Sequence, residues 1–488
     1  MIKMTIWKSS FEYKFYLSLG VLLLVYVFSE AWLMPLTHDE LSTIGFSKQS
    51  IFDILSYKDP IPNNHILNTL LLKLNIAIFG DNLLTNRLPN IMAFILYYLF
   101  SVKLAFRIGN DFLFRTGLVI TMTMQPFLFD FFSVSRGYGL SLGFMSMSLY
   151  YMADFIKKTE ISALFKSLVS AAIGVMASFT LLNYYLPLIF ILFITIILKP
   201  NSSKSNELMK KSFLVMFCIS LVLAGLCFTP FSKMMQTDQF QYWGSNSFYK
   251  DTFTELLYSM RSGIHYFRWD KEVYALVGLM IFLVIAFSGI YSFLLKKSKD
   301  PIFLSFISLF VLVILYNNMQ HYLIGVPFLN ARTSLFFIPL FSIVLVLSIQ
   351  QITIIKEWLG VILICSTSLL TIQHFFRGCN PKANFEWYQD GDTYNVLKEI
   401  NNIIFQESMP RPVKIDCHWL FHPSLTYHIE QNYKGIMEVA PYHKEINHET
   451  NALFYYTVSD EQEVLKSKFE PVREYSWKSR YILQAKKR

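Results

Sequence analysis

The sequence predicts a multi-pass α-helical membrane protein with a large first outer loop and a small C-terminal α/β domain. Three observations lead there. The chain of 488 residues is 53% hydrophobic and only 16% charged, where soluble domains carry about 25% charged residues. Its mean hydropathy is +0.39. Its apolar residues gather in runs close to the ~20 residues that cross a hydrocarbon core, until a polar stretch takes over beyond residue 374.

Eleven such runs can be read: 15–34, 84–105, 113–133, 138–156, 163–181, 183–198, 212–230, 273–295, 301–317, 333–350 and 357–374. The first is too long for a signal-peptide core and lacks a small-residue cleavage site, so it reads as an anchor. Basic residues fall in the short connections: Lys3, Lys8 and Lys14 before the first run, Lys103, Arg107 and Arg115 around the second turn, Lys157 and Lys158 after the fourth run. "KPNSSKSNELMKK" (199–211) and "KKSKD" (296–300) continue the pattern. An odd number of crossings from a cytoplasmic N-terminus puts all of them on one side, as the positive-inside rule requires. The net charge of +9 is thereby spread over cytoplasmic turns, and nucleic-acid binding has no support.

The opposite face receives the long segments. These are residues 35–83, the aromatic-rich 231–272, the loop 318–332 and the tail 375–488. The division expected is therefore a membrane domain over 1–374 and an extracytoplasmic domain over 375–488. In the tail, "GDTYNVLKEINNIIFQE" has apolar residues at helical spacing. "PVKIDCHWL", "GIMEVAP" and "NALFYYTVSD" read as strands, and "EQEVLKSKF" as a further helix. Five cysteines are too few and too scattered for a disulfide framework, and nothing local supports a bond between Cys379 and Cys417.

The outer face also collects the chemistry-bearing residues. "LMPLTHDELSTIGF" places His38, Asp39 and Glu40 just past the first run. Read alone, Asp39 is a helix cap for the short helix that follows. "NNHILNTLLLKLNIAIFG" reads as an amphipathic helix along the interface, with Asn63, Asn64 and His65 at its anion-favouring start. Arg87 enters the second run among apolar residues, where an arginine can snorkel to the boundary. Arg136, beside Tyr138 in "DFFSVSRGYGLSLGF", is more pointed. Insertion scales charge about 2.5–3.5 kcal/mol for an arginine at a helix centre, less toward the interface. Such a residue asks for an anionic partner, and Asp130 on the preceding run is one candidate. Arg332 in "LNARTSLFFIPLF" repeats the pattern. His265 and His321 read as ordinary loop residues. Carboxylates and cations thus converge at interface depth, where a lipid-phosphate headgroup lies. A transporter buries its ionisable groups near the midplane instead.

These motifs, in this order and on this face, resemble the GT-C membrane glycosyltransferases, in the branch of the protein O-mannosyltransferases and the lipid A aminoarabinose transferase. The carrying stretches are "HDE" after the first span, "NNHILNTLLLKLNIAIFGDNLLTNRLP", "SRGYGLSLGF" and "NARTSLFFIPL". The resemblance covers roughly residues 15–350. It implies a GT-C-like fold in a bacterial inner (plasma) membrane, with the active site on the periplasmic side. It implies a polyprenyl-phosphate sugar donor, an acceptor hydroxyl on a glycan, lipid or protein, and single displacement with inversion.

The resemblance assigns roles. Asp39 matches the family's first-loop acid and is the candidate general base. Glu40 orients Asp39 or holds a metal. His65, Arg87, Arg136 and Arg332 are candidates for the donor phosphate, with Tyr138 orienting Arg136. A divalent metal ion at Glu40 and His65 stays open, because some branches use one. Two departures stand out. Ile66 follows the histidine where proline is common, and Gly137, Tyr138, Gly139 and Leu140 follow Arg136 where some branches place a second acid. The alternative from another class is a flippase or exporter of lipid-linked saccharide, which would line a cavity through the bilayer with polar groups.

Overall fold

The structure is a computed structural model and describes residues 10–198, 203–239, 244–260, 271–296, 300–475 and 480–486. Lys3, Lys8, His265 and parts of the 199–211, 231–272 and 296–300 connections lie outside the described residues. The chain forms two compact units. One comprises residues 1–29 and 46–379, the other 30–45 and 380–488. The segment 30–45 is the departure from the sequence reading, which kept it with residues 1–374.

A helix stands in each of the eleven apolar runs. They are α1 (Ser10–Leu33), α5 (Leu83–Ile108), α6 (Phe112–Thr123), α8 (Gly137–Lys158), α9 (Ile161–Ala177), α10 (Leu182–Ile197), α11 (Ser203–Gln236), α13 (Lys271–Leu295), α14 (Pro301–Ile324), α15 (Phe337–Thr353) and α16 (Glu357–Gly378). Among the described residues, seven helical segments are long and apolar enough to cross a membrane. α6, α9 and α15 are shorter apolar helices. The third run is not one helix. It breaks after Thr123 and resumes as α7 (Pro126–Asp130), with Gln125 extended before Pro126, because proline's ring disfavours helical geometry in the residue before it.

α8 packs against α5 and α9, and its Gly143, Ser146 and Ser148 are buried. Ser148 shares its hydroxyl with Tyr184 at 2.9 Å. Small residues let helices approach closely in lipid, which is why this interior helix is less greasy than its neighbours. The basic turns carry ion pairs, Arg107–Asp154 and Arg115–Glu12 among them. Outside the spans, α3 (Ile51–Leu55) and α4 (Ile66–Phe79) form from the first long connection, and α12 (Thr254–Met260) from a later one.

The second unit holds α2 (His38–Ser47) and a mixed sheet of β1 (Val413–Cys417), β2 (Met437–Val439), β3 (Phe454–Val458), β4 (Phe469–Tyr475) and β5 (Arg480–Ala485). The order is β2-β1-β3-β5-β4. β1 pairs parallel with β2 and β3, and β5 pairs antiparallel with β3 and β4. α17 (Thr393–Gln406), α18 (His422–Asn432) and α19 (Ser459–Leu465) join it. Val396, Leu397 and Ile400 pack with Ile415, Leu425 and Phe454 in its core. The first three strands and α17 were legible in advance. β4 and β5 were not: "FEPVREY" carries proline and charges, as edge strands do. Cys218, Cys227, Cys365 and Cys417 are free thiols.

Candidate active site

In the membrane unit, the start of α4 and the start of α8 meet. Arg136 is the N-cap of α8 and is 1% exposed. Its guanidinium donates to the Asn63 carbonyl at 3.1 Å and to the Asn63 side-chain oxygen. The loop before α4 thus receives the arginine. The His65 ring stands edge-on to Tyr138, with centroids 4.8 Å apart. Tyr138 also packs on Phe131.

Glycine makes this approach feasible. A Cβ on Gly137 would lie 1.9 Å from the Ala177 carbonyl oxygen and 2.7 Å from His65 Cβ. One on Gly139 would lie 2.3 Å from the Phe131 carbonyl oxygen. The "RGYG" of the sequence is therefore a close-packing device. An asparagine relay that the sequence reading missed ties three elements together. Asn90 on α5 donates to Asn68 on α4 at 2.8 Å, and Asn68 donates to the Ser135 carbonyl at 3.1 Å. Both side chains are fully buried. Only their burial marks them out, and the sequence does not record it.

His65 is buried, and its ring donates to the Ala177 carbonyl. Burial first, and then the nearby Arg136 charge, hold its pKa well below the usual imidazole range, with Arg332 adding to the effect. The ring is neutral. Its Nε2 is buried with no hydrogen-bond partner, as is Asn64 Nδ2. With Nδ1 donating, Nε2 is left as an acceptor. Arg87 is fully buried rather than snorkelled. His321 stacks on Phe328 with ring centroids 4.1 Å apart, a loop-sealing role.

Arg332 sits in a short 3-10 turn, Ala331–Ser334, against α12 and the preceding π-helical turn Phe248–Phe253. Thr252 donates to the Leu329 carbonyl, tying the two connections together. Beside them lies an apolar cavity of about 380 Å³. Phe248, Leu256, Phe282, Phe310, Phe337 and Val344 are among its lining residues, from α12 to α15.

In the other unit, "THDE" forms a capping box. Thr37 N–H donates to Glu40 Oε2 at 3.0 Å, and Glu40 N–H donates to Thr37 Oγ1 at 3.4 Å. This corrects the expectation that Asp39 caps the helix. Thr37 is the cap, Glu40 closes the box, and Asp39 lies inside the first turn of α2. Glu40 is fully buried. Among the described residues, no three His, Cys, Asp or Glu side chains gather as a metal would require. Glu40 Oε2 is engaged by the box, and no step is routed through a metal.

No protein-family model and no curated protein matches this chain. Solved structures do. The crystal structure of ArnT from Cupriavidus metallidurans bound to undecaprenyl phosphate superposes with a TM-score of 0.52 at 10% identity. The match covers 96% of this chain and 97% of that one. The apo state of the same protein gives 0.50 at 11% identity, over 96% and 98%. ArnT is a lipid A aminoarabinose transferase, a GT-C enzyme. The fold of this chain is GT-C. Within this GT-C fold, His65, Arg136, Tyr138 and Arg332 share one unit, and Asp39 and Glu40 belong to the other.

Proposed function

We propose that this chain transfers a sugar from a polyprenyl-phosphate donor to an acceptor hydroxyl on the extracytoplasmic face, with inversion. One observation carries the reading: buried Arg136, Asn64 and His65 converge at the start of an outer helix of a GT-C fold, with Asn64 Nδ2 and His65 Nε2 unpartnered. Unpartnered buried polar atoms are costly and await a polar ligand. A sugar phosphate is such a ligand. Undecaprenyl phosphate bound to ArnT adds to the reading.

In the proposed step, Asp39 takes the proton of the acceptor hydroxyl. The oxygen attacks the anomeric carbon from the face opposite the phosphate. The bond from that carbon to the phosphate oxygen breaks, and the polyprenyl phosphate leaves with the electron pair. Arg136 and Arg332 stabilise the charge it gains. Asn64 Nδ2 donates to the phosphate, and Arg87 supports the same headgroup. His65, neutral, uses Nε2 to accept a hydrogen bond from a hydroxyl of the donor sugar. Tyr138 holds the His65 ring. Glu40 acts through the helix that carries Asp39. The apolar cavity suits a prenyl tail, at the low end of the roughly 300–1,000 Å³ of small-ligand sites.

The same proposal places eleven crossings, a cytoplasmic N-terminus and an extracytoplasmic C-terminal domain in a bacterial inner membrane. The test uses the full chain in lipid with a panel of radiolabelled polyprenyl-phosphate hexoses and pentoses, plus envelope extract as acceptor. Release of free polyprenyl phosphate by the wild type, lost in Asp39→Asn, supports transfer. Equal silence of both folded proteins across the panel overturns it.

A further inference from the structure

The first residues of the acid-bearing segment are gripped by the C-terminal part of their own unit. Leu36 N–H donates to His428 Nε2 at 3.2 Å, and Ser424 Oγ donates to the Leu36 carbonyl at 2.9 Å. Both partners lie on α18. His38 N–H donates to Asp390 Oδ2 at 2.9 Å. The His38 ring Nδ1 is 3.2 Å from the Leu420 carbonyl, in the loop after β1. Four contacts from three separate places fix both backbone groups of Leu36 and the first N–H of α2.

Asp390 is the unusual member. It is fully buried, in a 3-10 turn spanning Tyr388–Asp390. Arg480 on β5, 1% exposed, locks that turn by donating to the Tyr388 carbonyl at 3.0 Å and the Gln389 carbonyl at 2.8 Å, and to Asp392. The sheet therefore holds Arg480, Arg480 holds the turn, and the turn holds the helix. Asp390 Oδ1 is buried with no partner.

We infer that Asp390 is a positioning residue: it caps α2 from the far end of the chain and so fixes the carboxylate of Asp39. The inference rests on the transfer reading above. Three charged groups act on Asp390 within the unit: Asp39 and Glu40 from α2, and Arg480 from β5. Burial, then the charges of Asp39 and Glu40, push its pKa well up, while Arg480 and the His38 N–H pull the other way. Asp390 accepts from the His38 N–H through Oδ2. An asparagine keeps that acceptor and the shape of the side chain, without the charge.

The experiment measures donor turnover against pH, and amide hydrogen exchange over residues 36–47, in lipid-reconstituted variants. Asp390→Ala is expected to lower kcat by about 10- to 100-fold with donor KM within about threefold, since small misplacements of a catalytic group cost this much. It also speeds exchange in α2. Asp390→Asn stays within about threefold of wild type and leaves the acid limb of the pH profile in place. Wild-type turnover and slow exchange in folded Asp390→Ala overturn the inference. So does an Asp390→Asn as inactive as the alanine, which would make the charge itself essential. If Asp390→Ala does not fold, Ser424→Ala gives the same reading at Leu36, with faster α2 exchange expected and unchanged exchange counting against the grip. The exchange arm decides the inference even where Asp39→Asn shows the transfer reading to be wrong.

Discussion

The two halves of the candidate chemistry are built in opposite ways. The cation cradle at Arg136 and His65 is assembled by close backbone approach between helices, through Gly137 and Gly139 and an asparagine relay. The acid helix α2 carries its own capping box and is held from outside by a turn, a helix and a loop that lie more than 350 residues away in the chain. Their electrostatics differ too. His65 is kept neutral by burial among cations, whereas Asp390 is pushed toward neutrality by burial among carboxylates.

The largest expected effect tests the cradle as a phosphate site. Arg136→Ala should lower polyprenyl-phosphate release by about 10²–10³-fold, the size of losing one charge-stabilising donor. A loss confined to donor KM would recast Arg136 as a ground-state anchor. Next comes packing. Gly137→Ala forces a methyl group into the Ala177 carbonyl, and overpacking of this kind costs about 1–3 kcal/mol. A lowered thermal midpoint should appear, and an unchanged one would show that the α8–α9 contact can slide. Asn90→Ala strands the relay at Asn68 and should cost about 1–3 kcal/mol, read as a shift in denaturation midpoint.

The smallest effects separate the halves by pH. The unfolded His65 binds a proton below about pH 6.5, whereas the buried ring resists protonation. Its contribution therefore makes stability fall as pH drops below that value, and His65→Gln should flatten the slope. Asp390 runs the other way. Its contribution is present below the unfolded value of about 3.9 and is lost as pH rises through the higher folded value. Asp390→Asn should therefore raise the thermal midpoint at neutral pH and leave it unchanged near pH 3. Slopes of the same sign in both variants would erase the distinction between the two regions.

Much of this was legible beforehand. Membrane helices are encoded by hydropathy over about 20 residues, so a helix stands in each of the eleven apolar runs, although the third breaks before Pro126 and the fifth at Ser178. The outer residues His65, Arg136, Tyr138 and Arg332 were picked out because charge and polarity are conspicuous against an apolar background. Their partners were not legible, because Asn63, Asn68 and Asn90 look like ordinary polar residues until burial makes each hydrogen bond obligatory. The capping box in "THDE" is local and could have been read; the paired acids drew attention away from Thr37.

The sequence by itself determined the membrane helices, the charged and polar residues that stand out among them, and three of the five strands. Each is a property of neighbouring residues or of simple periodicity. The tertiary structure alone decided that residues 30–45 fold with the C-terminal unit, that Glu40 serves the helix end, and that Asp390 reaches His38 across 352 positions. Such contacts depend on which buried groups must find partners once water is excluded, and no local pattern records that choice.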